Sequence, residues 1–199
     1  VLIDYLAELA PAQNWQVTVA DVTADLALVK TKRREQTFAV SIDVSDSTSR
    51  HKLISNADVV ISMLPAAMHI TIAKDCILLK KHLVTPSYIS EEMLRLDEEA
   101  KQTGLVFMNE MGLDPGIDHM STMKVIDEVR ERGGVVTSYQ SHCGGLIAPE
   151  SDTNQWHYKF TWNPRNVVLA GQGDGGIRYK KDNQLVTLNY NELFASATP

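Results

Sequence analysis

Residues 105–119 read LVFMNEMGLDPGIDH. The first four are a short, continuous apolar run, the pattern of a strand buried on both faces of a parallel sheet. The run passes at once into Asn109 and Glu110, then into a turn punctuated by Gly112, Pro115 and Gly116. Helical spacing follows from Pro115 to about Glu131 and stops at Gly133-Gly134. Strand, polar turn and helix form the unit of an open α/β sheet, whose ligands bind beyond the carboxyl ends of the strands.

The same unit repeats upstream. Strand-like runs occur at 17–20 (VTVA), 38–42 (FAVSI), 59–63 (VVISM) and 82–84 (HLV). Helical segments lie between them at 24–32, 47–54, 67–79 and 91–103. Ser90 is suited to cap the last of these, with Glu91 and Glu92 in the first turn where the helix dipole favours acids. Such alternation implies right-handed βαβ units and a Rossmann-type doubly wound parallel sheet. Residues 1–9 (VLIDYLAEL) read as a helix with Leu2, Tyr5, Leu6 and Leu9 on one face. A dinucleotide-binding fold places a strand and a glycine turn directly before that helix, so both are expected outside residues 1–199.

Beyond residue 111 the character changes. Residues 135–141 read as a strand, Asn163-Pro164 can start a helix to Ala170, and 177–180 with 185–188 read as a hairpin turning through Asp182-Asn183. Trp156, Tyr158, Phe160 and Trp162 alternate with polar residues, the pattern of a strand with one aromatic face in the core. The division expected is a dinucleotide-binding domain at 1–111 and an α+β substrate domain at 112–199. Residues 191–199 close no element, so the second domain is expected to continue.

With 44% hydrophobic residues in 199, the chain can bury a core for one large or two small domains. A formal net charge of -6 without a basic run argues against a nucleic-acid surface. No apolar stretch approaches a membrane span. Two cysteines, Cys76 and Cys143, suit the reducing cytoplasm better than a disulfide framework.

The candidate site gathers at the strand ends. Asp21 ends the first visible run, Asp43-Val44 the second, Leu64-Pro65 the third, and Pro86-Ser87-Tyr88 the fourth. An acid at Asp21 suits the ribose hydroxyls of a dinucleotide and repels a 2′-phosphate, although it could instead cap the next helix. Asp114-Pro115 could be a helix cap and first helical residue, or Asp114 could meet a ligand beside free backbone N–H groups. Asp118 and His119 suit structural and catalytic roles equally. His142-Cys143 lacks a second ligand pair at zinc spacing, so Cys143 reads as a loop thiol at the mouth of the site. Residues 171–176 (GQGDGG) match G-x-G-x-x-G formally, but follow a helix and precede a hairpin, the wrong context for a phosphate loop.

GLDPGIDH at 112–119 and CGGLIAPES at 143–151 resemble saccharopine reductase, the glutamate-forming saccharopine dehydrogenase of lysine metabolism. The likeness extends through VTVA, DVVISMLP, KKHLVTPSYIS, the 106–129 stretch and YKFTW. It implies a Rossmann domain joined to a substrate domain, a homodimer, and a small amino-acid substrate. The reaction implied is condensation of glutamate with α-aminoadipate semialdehyde and reduction of the imine by a nicotinamide cofactor, or the reverse. Carried over, Asp43 and Val44 flank adenine, Leu64 lies near nicotinamide, and Pro86 and Ser87 touch cofactor. Leu113, Asp114 and Pro115 also contact cofactor, and Ser87, Tyr88 and Asp114 contact substrate. Tyr88, Asp114 and Cys143 are the implied catalytic groups nearest the reacting nitrogen. At Asp21-Val22-Thr23 fungal members carry Cys-Arg-Thr; the acid here favours NAD over NADP. Two other readings are a related imine reductase of the carboxynorspermidine dehydrogenase type, and a non-catalytic binding protein that keeps the fold.

Overall fold

The computed structural model describes residues 1–143, 147–160, 164–165, 177–192 and 195. These fall into two compact units, Val1–Ser138 and Tyr139–Pro199. In the first unit the chain alternates α1 (Leu2–Gln13), β1 (Val17–Asp21), α2 (Ala24–Thr31), β2 (Thr37–Ser41), α3 (Ser47–Ser55) and β3 (Val59–Ile61). It continues with α4 (His69–Leu79), β4 (His82–Val84), α5 (Glu91–Leu94), α6 (Asp97–Gln102), β5 (Phe107–Met108) and α7 (Ile117–Glu131). Every strand pair in this unit is parallel: β1 with β2, and β3 with β4 and β5.

The five strands form two sheets, β1-β2 and β3-β4-β5. A strut on α3 links the halves. Arg50 bonds Asp75 of α4 and donates to the Val44 carbonyl, just past β2, at 2.5 Å. His51 Nε2 meets the other Asp75 oxygen at 2.8 Å. Burial raises the Asp75 pKa, but the bonds from Arg50 and His51 outweigh it and hold the carboxyl below its ordinary range.

The core lies between the three-stranded sheet and its helices. Ile54, Ile72, Ala73, Cys76, Leu83 and Met93 form its buried cluster. Ile72, Ala73 and Cys76 share one face of α4 by their spacing, and Leu83 is the inward residue of β4. Burial, then the neighbouring Asp75 charge, push the Cys76 thiol up to about 12, so it is an inert core residue. Ser90 caps α5 as expected, accepting from Met93 N at 3.1 Å. Asp46 does the same for α3, accepting from Thr48 N at 3.0 Å.

Several expectations need correction. The helix expected at 1–9 runs to Gln13, and the one expected at 91–103 breaks at Arg95-Leu96 into α5 and α6. Asp114 does not cap α7 and Pro115 is not its first residue. That helix starts at Ile117 with Gly116 as its cap residue, and Asp118 accepts the Gly116 N–H at 2.8 Å.

In the second unit, β6 (Ile177–Lys181) and β7 (Gln184–Leu188) form the expected antiparallel hairpin. Asp182 and Asn183 both have positive φ, as a type I′ turn requires. The strand expected at 135–141 is absent, and Val135 is 83% exposed. A β-branched run becomes a strand only where a neighbouring strand offers it a ladder. Trp156, Tyr158 and Phe160 likewise form no strand; Trp156 is 88% exposed, and Tyr158 and Phe160 meet edge to face at 5.5 Å. Trp162 and residues 171–176 lie outside the described residues, as does most of the expected 163–170 helix; Pro164 and Arg165 are helical.

Candidate active site

The parallel strands bring Tyr88 and Asp114 together. Ser87 and Tyr88 follow β4, and a clamp from the end of β5 holds them. Glu110 N donates to the Ser87 carbonyl at 3.0 Å, and the Glu110 carboxylate accepts from Ile89 N at 3.1 Å. The Tyr88 hydroxyl then donates to Asp114 Oδ1 at 2.7 Å, a short charge-assisted bond. Desolvation, the Asp114 bond and the negative charges of Asp114, Asp118 and Glu110 push the Tyr88 phenol up to about 12. Tyr88 therefore stays a donor throughout the neutral range. Both side chains are exposed, open to a ligand in solution.

The glycines of GLDPGIDH explain how Asp114 is presented. Gly112 N donates to the Pro115 carbonyl at 2.8 Å, and Ile117 N donates to the Gly112 carbonyl at 3.0 Å, closing a tight loop. A Cβ on Gly116, whose φ is +150°, would overlap the Gly112 carbonyl. A Cβ on Gly112 would come within 2.9 Å of the Pro86 carbonyl. Pro86 thus packs beneath the loop, Pro115 and Gly116 are buried in it, and Leu113 and Asp114 stand out from it. Asp118 is held below its usual carboxylate range: partial burial opposes this, but the Gly116 and His119 N–H groups outweigh it. His119 Nδ1 lies 2.8 Å from Asp118, so this neighbouring pair serves the loop and helix start.

A cavity of about 270 Å³ opens beside Tyr88. His69, Ile70, Thr85, Met93 and Asn109 are among its lining residues. His69 carries a buried hydrogen-bonded pair, to Ser62 at 2.9 Å and to Ser87 at 3.0 Å. Sequence reasoning placed it inside a helix and gave it no role. The signal was nonetheless legible: His69, Ile72, Ala73 and Cys76 fall on one helical face, so a polar ring begins an apolar stripe.

The other strand ends carry the remaining candidates. Asp21 ends β1 and accepts from Thr23 N at 3.1 Å. Asp43 follows β2 and is held below its ordinary range by the Ser45 N–H, at 2.8 Å. Val44 is pinned by Arg50, and Leu64 packs partly against the core cluster. Cys143 belongs to the second unit and is exposed there. Among the described residues no cluster of His, Cys, Asp and Glu could hold a metal ion, and no helix is long and apolar enough to cross a membrane.

An open parallel sheet with acids at the ends of β1 and β2 and a polar lip after β4 and β5 is a Rossmann-type nucleotide-binding fold. Residues 2–108 match the saccharopine dehydrogenase NADP binding domain, and residues 112–199 match the saccharopine dehydrogenase C-terminal domain. The chain belongs to the saccharopine dehydrogenase family. It is 47% identical over 159 residues to an alpha-aminoadipic semialdehyde synthase from Arabidopsis thaliana, covering 80% of this chain and 15% of that one. It is 41% identical over 184 residues to the NADP(+), L-glutamate-forming saccharopine dehydrogenase of Pyricularia oryzae, covering 92% of this chain and 40% of the relative. The apo saccharopine dehydrogenase (L-Glu forming) structure from Saccharomyces cerevisiae superposes with a TM-score of 0.79 at 41% identity, over 99% of this chain and 43% of that one. The chain thus spans less than half the length of each of these relatives.

Proposed function

We propose that this protein interconverts saccharopine with glutamate and α-aminoadipate semialdehyde, using a nicotinamide cofactor. The observation that carries this reading is the Tyr88–Asp114 pair, held at 2.7 Å on the lip beyond β4 and β5. The Asp114 carboxylate attracts the positive charge of a secondary amine, and the protonated Tyr88 supplies a donor beside it. The saccharopine reductase resemblance implies a catalytic role for Cys143 as well. Ser87 joins Tyr88 and Asp114 as a substrate contact. The bound cofactor supplies or accepts the hydride.

The strand-end residues fit such a cofactor. Asp21 suits the ribose, Asp43 and Val44 the adenine, and Leu64 the nicotinamide side. Pro86, Ser87, Leu113, Asp114 and Pro115 complete the surround, with Pro86 and Pro115 acting as its packed floor. We assign residues 1–111 to the nucleotide and 112–199 to the substrate, in a cytoplasmic homodimer.

We further propose a preference for NAD, although the relatives above carry NADP in their names. Asp21 repels a 2′-phosphate, and Val22 supplies no cation to attract one. Arg33 and Arg34, just past α2, are the cations that could reach one; Arg34, with Lys32, is engaged by Asp4, at 2.8 and 2.9 Å. The test is saccharopine-dependent reduction of each nucleotide by the full-length protein. Turnover with saccharopine and a higher kcat/KM for NAD is expected. Turnover of carboxynorspermidine alone would move the protein to the other imine-reducing branch, no turnover would leave a binding protein, and a higher value for NADP would reverse the cofactor assignment.

A further inference from the structure

Ser62, His69 and Ser87 form one hydrogen-bonded chain across the carboxyl ends of β3 and β4. Ser62 directly follows β3, and its N–H donates to the Val84 carbonyl at 2.9 Å. Its Oγ lies 2.9 Å from Nδ1 of His69, the first residue of α4. Nε2 of the same ring lies 3.0 Å from Ser87 Oγ. Ser62 and His69 are buried, at 4% and 3% exposure, whereas Ser87 is half-buried.

The direction of the chain follows from hydrogen-bond accounting. Burial holds the imidazole below its ordinary pKa, so the ring is neutral, with one donor and one acceptor nitrogen. The enclosed Ser62 hydroxyl proton needs an acceptor, and its oxygen is paired with His69 Nδ1. Ser62 therefore donates to Nδ1. The ring proton is then on Nε2, which donates to Ser87 Oγ. Ser87 cannot return its own proton to that nitrogen, so the hydroxyl is free to donate away from the chain.

We propose that His69 is a positioning residue: as the Nε2–H form it sets the Ser87 hydroxyl as a donor to an acceptor oxygen of the bound ligand. That oxygen belongs to an amino-acid carboxylate or to the nicotinamide carboxamide. The inference rests on the placement of Ser87 at the ligand proposed above, and it adds the residue that gives that serine its polarity.

Two measurements on the full-length protein test it. With ¹⁵N-labelled histidine, long-range ¹H–¹⁵N spectra should show His69 protonated at Nε2 and bare at Nδ1 at neutral pH. The opposite tautomer, or a charged ring, overturns the proposal irrespective of any activity. The second measurement compares His69→Gln, whose amide reaches the Nε2 position, with His69→Asn, whose amide reaches only the Nδ1 position. Calorimetric Kd values for NAD and for saccharopine are read beside the melting temperature. His69→Asn should weaken one ligand by roughly tenfold, the value of one lost hydrogen bond, and His69→Gln should recover most of it at a similar melting temperature. Loss confined to saccharopine assigns the acceptor to the substrate carboxylate, and loss confined to NAD assigns it to the carboxamide. Equal losses in the two variants, or none, overturn the proposal. A wild type that binds both ligands yet turns over nothing would defeat the functional reading and leave this inference decided by the tautomer and the affinities.

Discussion

Asp114 separates capping from ligand chemistry. The string DPG reads equally well as a cap and first turn, and only the fold shows that α7 starts after it and that Asp118, in its first turn, accepts the Gly116 N–H. Asp114 instead receives the Tyr88 hydroxyl. Asp114→Asn should keep its melting temperature and lose most of its turnover, whereas Asp118→Ala should lower stability by about 1 kcal/mol, the usual net value of a hydrogen bond. Near-normal turnover in Asp114→Asn would reduce the residue to a structural one. Tyr88→Phe removes an exposed hydroxyl, so its stability should hold. If the phenol takes part in proton movement, kcat should fall by roughly 10²-fold or more, the lower end for general acid–base catalysis. Tyr88 and Asp114 were legible because GLDPGIDH and PSYIS are specific strings. His69 was legible only as an anomaly, since its partners lie seven residues before it and eighteen after it.

At the scale of the elements, the Arg50–Asp75–His51 strut joins α3 to α4 and fixes the carbonyl of Val44. Removing one partner of a buried ion pair costs roughly 3–5 kcal/mol, so Asp75→Ala should be among the most destabilising single changes in the first unit. The pH dependence has a definite sign. The folded-state pKa of Asp75 lies below its unfolded value, so its contribution is complete above about pH 4 and is lost as pH falls through the folded value. Wild-type denaturation midpoints should therefore drop on acidification more steeply than those of Asp75→Asn; parallel acid profiles would contradict this account. The strands of the first unit were legible as continuous apolar runs between helices, although the two-sided burial expected of them is absent: Leu83 is their one buried residue, and Phe38 and Val59 are about half exposed. In 135–141 the same kind of run forms no strand and is exposed, because strand formation depends on a neighbour that local pattern does not encode. The hairpin of β6 and β7 was legible because Asp182-Asn183 supplies its own turn.

For the molecule as a whole, the central claim is that one lip, beyond β4 and β5, holds the reacting nitrogen of an amino-acid substrate beside a nicotinamide nucleotide. In the proposed NAD preference, Asp21 repels a 2′-phosphate and Asp4 holds Arg34 away from one. Freeing Arg34 by Asp4→Asn should raise kcat/KM for NADP relative to NAD, and an unchanged ratio would remove Arg34 from the explanation. The most direct measurement of the central claim is a crystal structure of the full-length protein with NAD and saccharopine bound. The secondary amine of saccharopine is expected within hydrogen-bond reach of the Tyr88–Asp114 pair, with the adenosine ribose at Asp21. Saccharopine bound away from Tyr88 and Asp114, with that pair still closed on itself, would contradict the account.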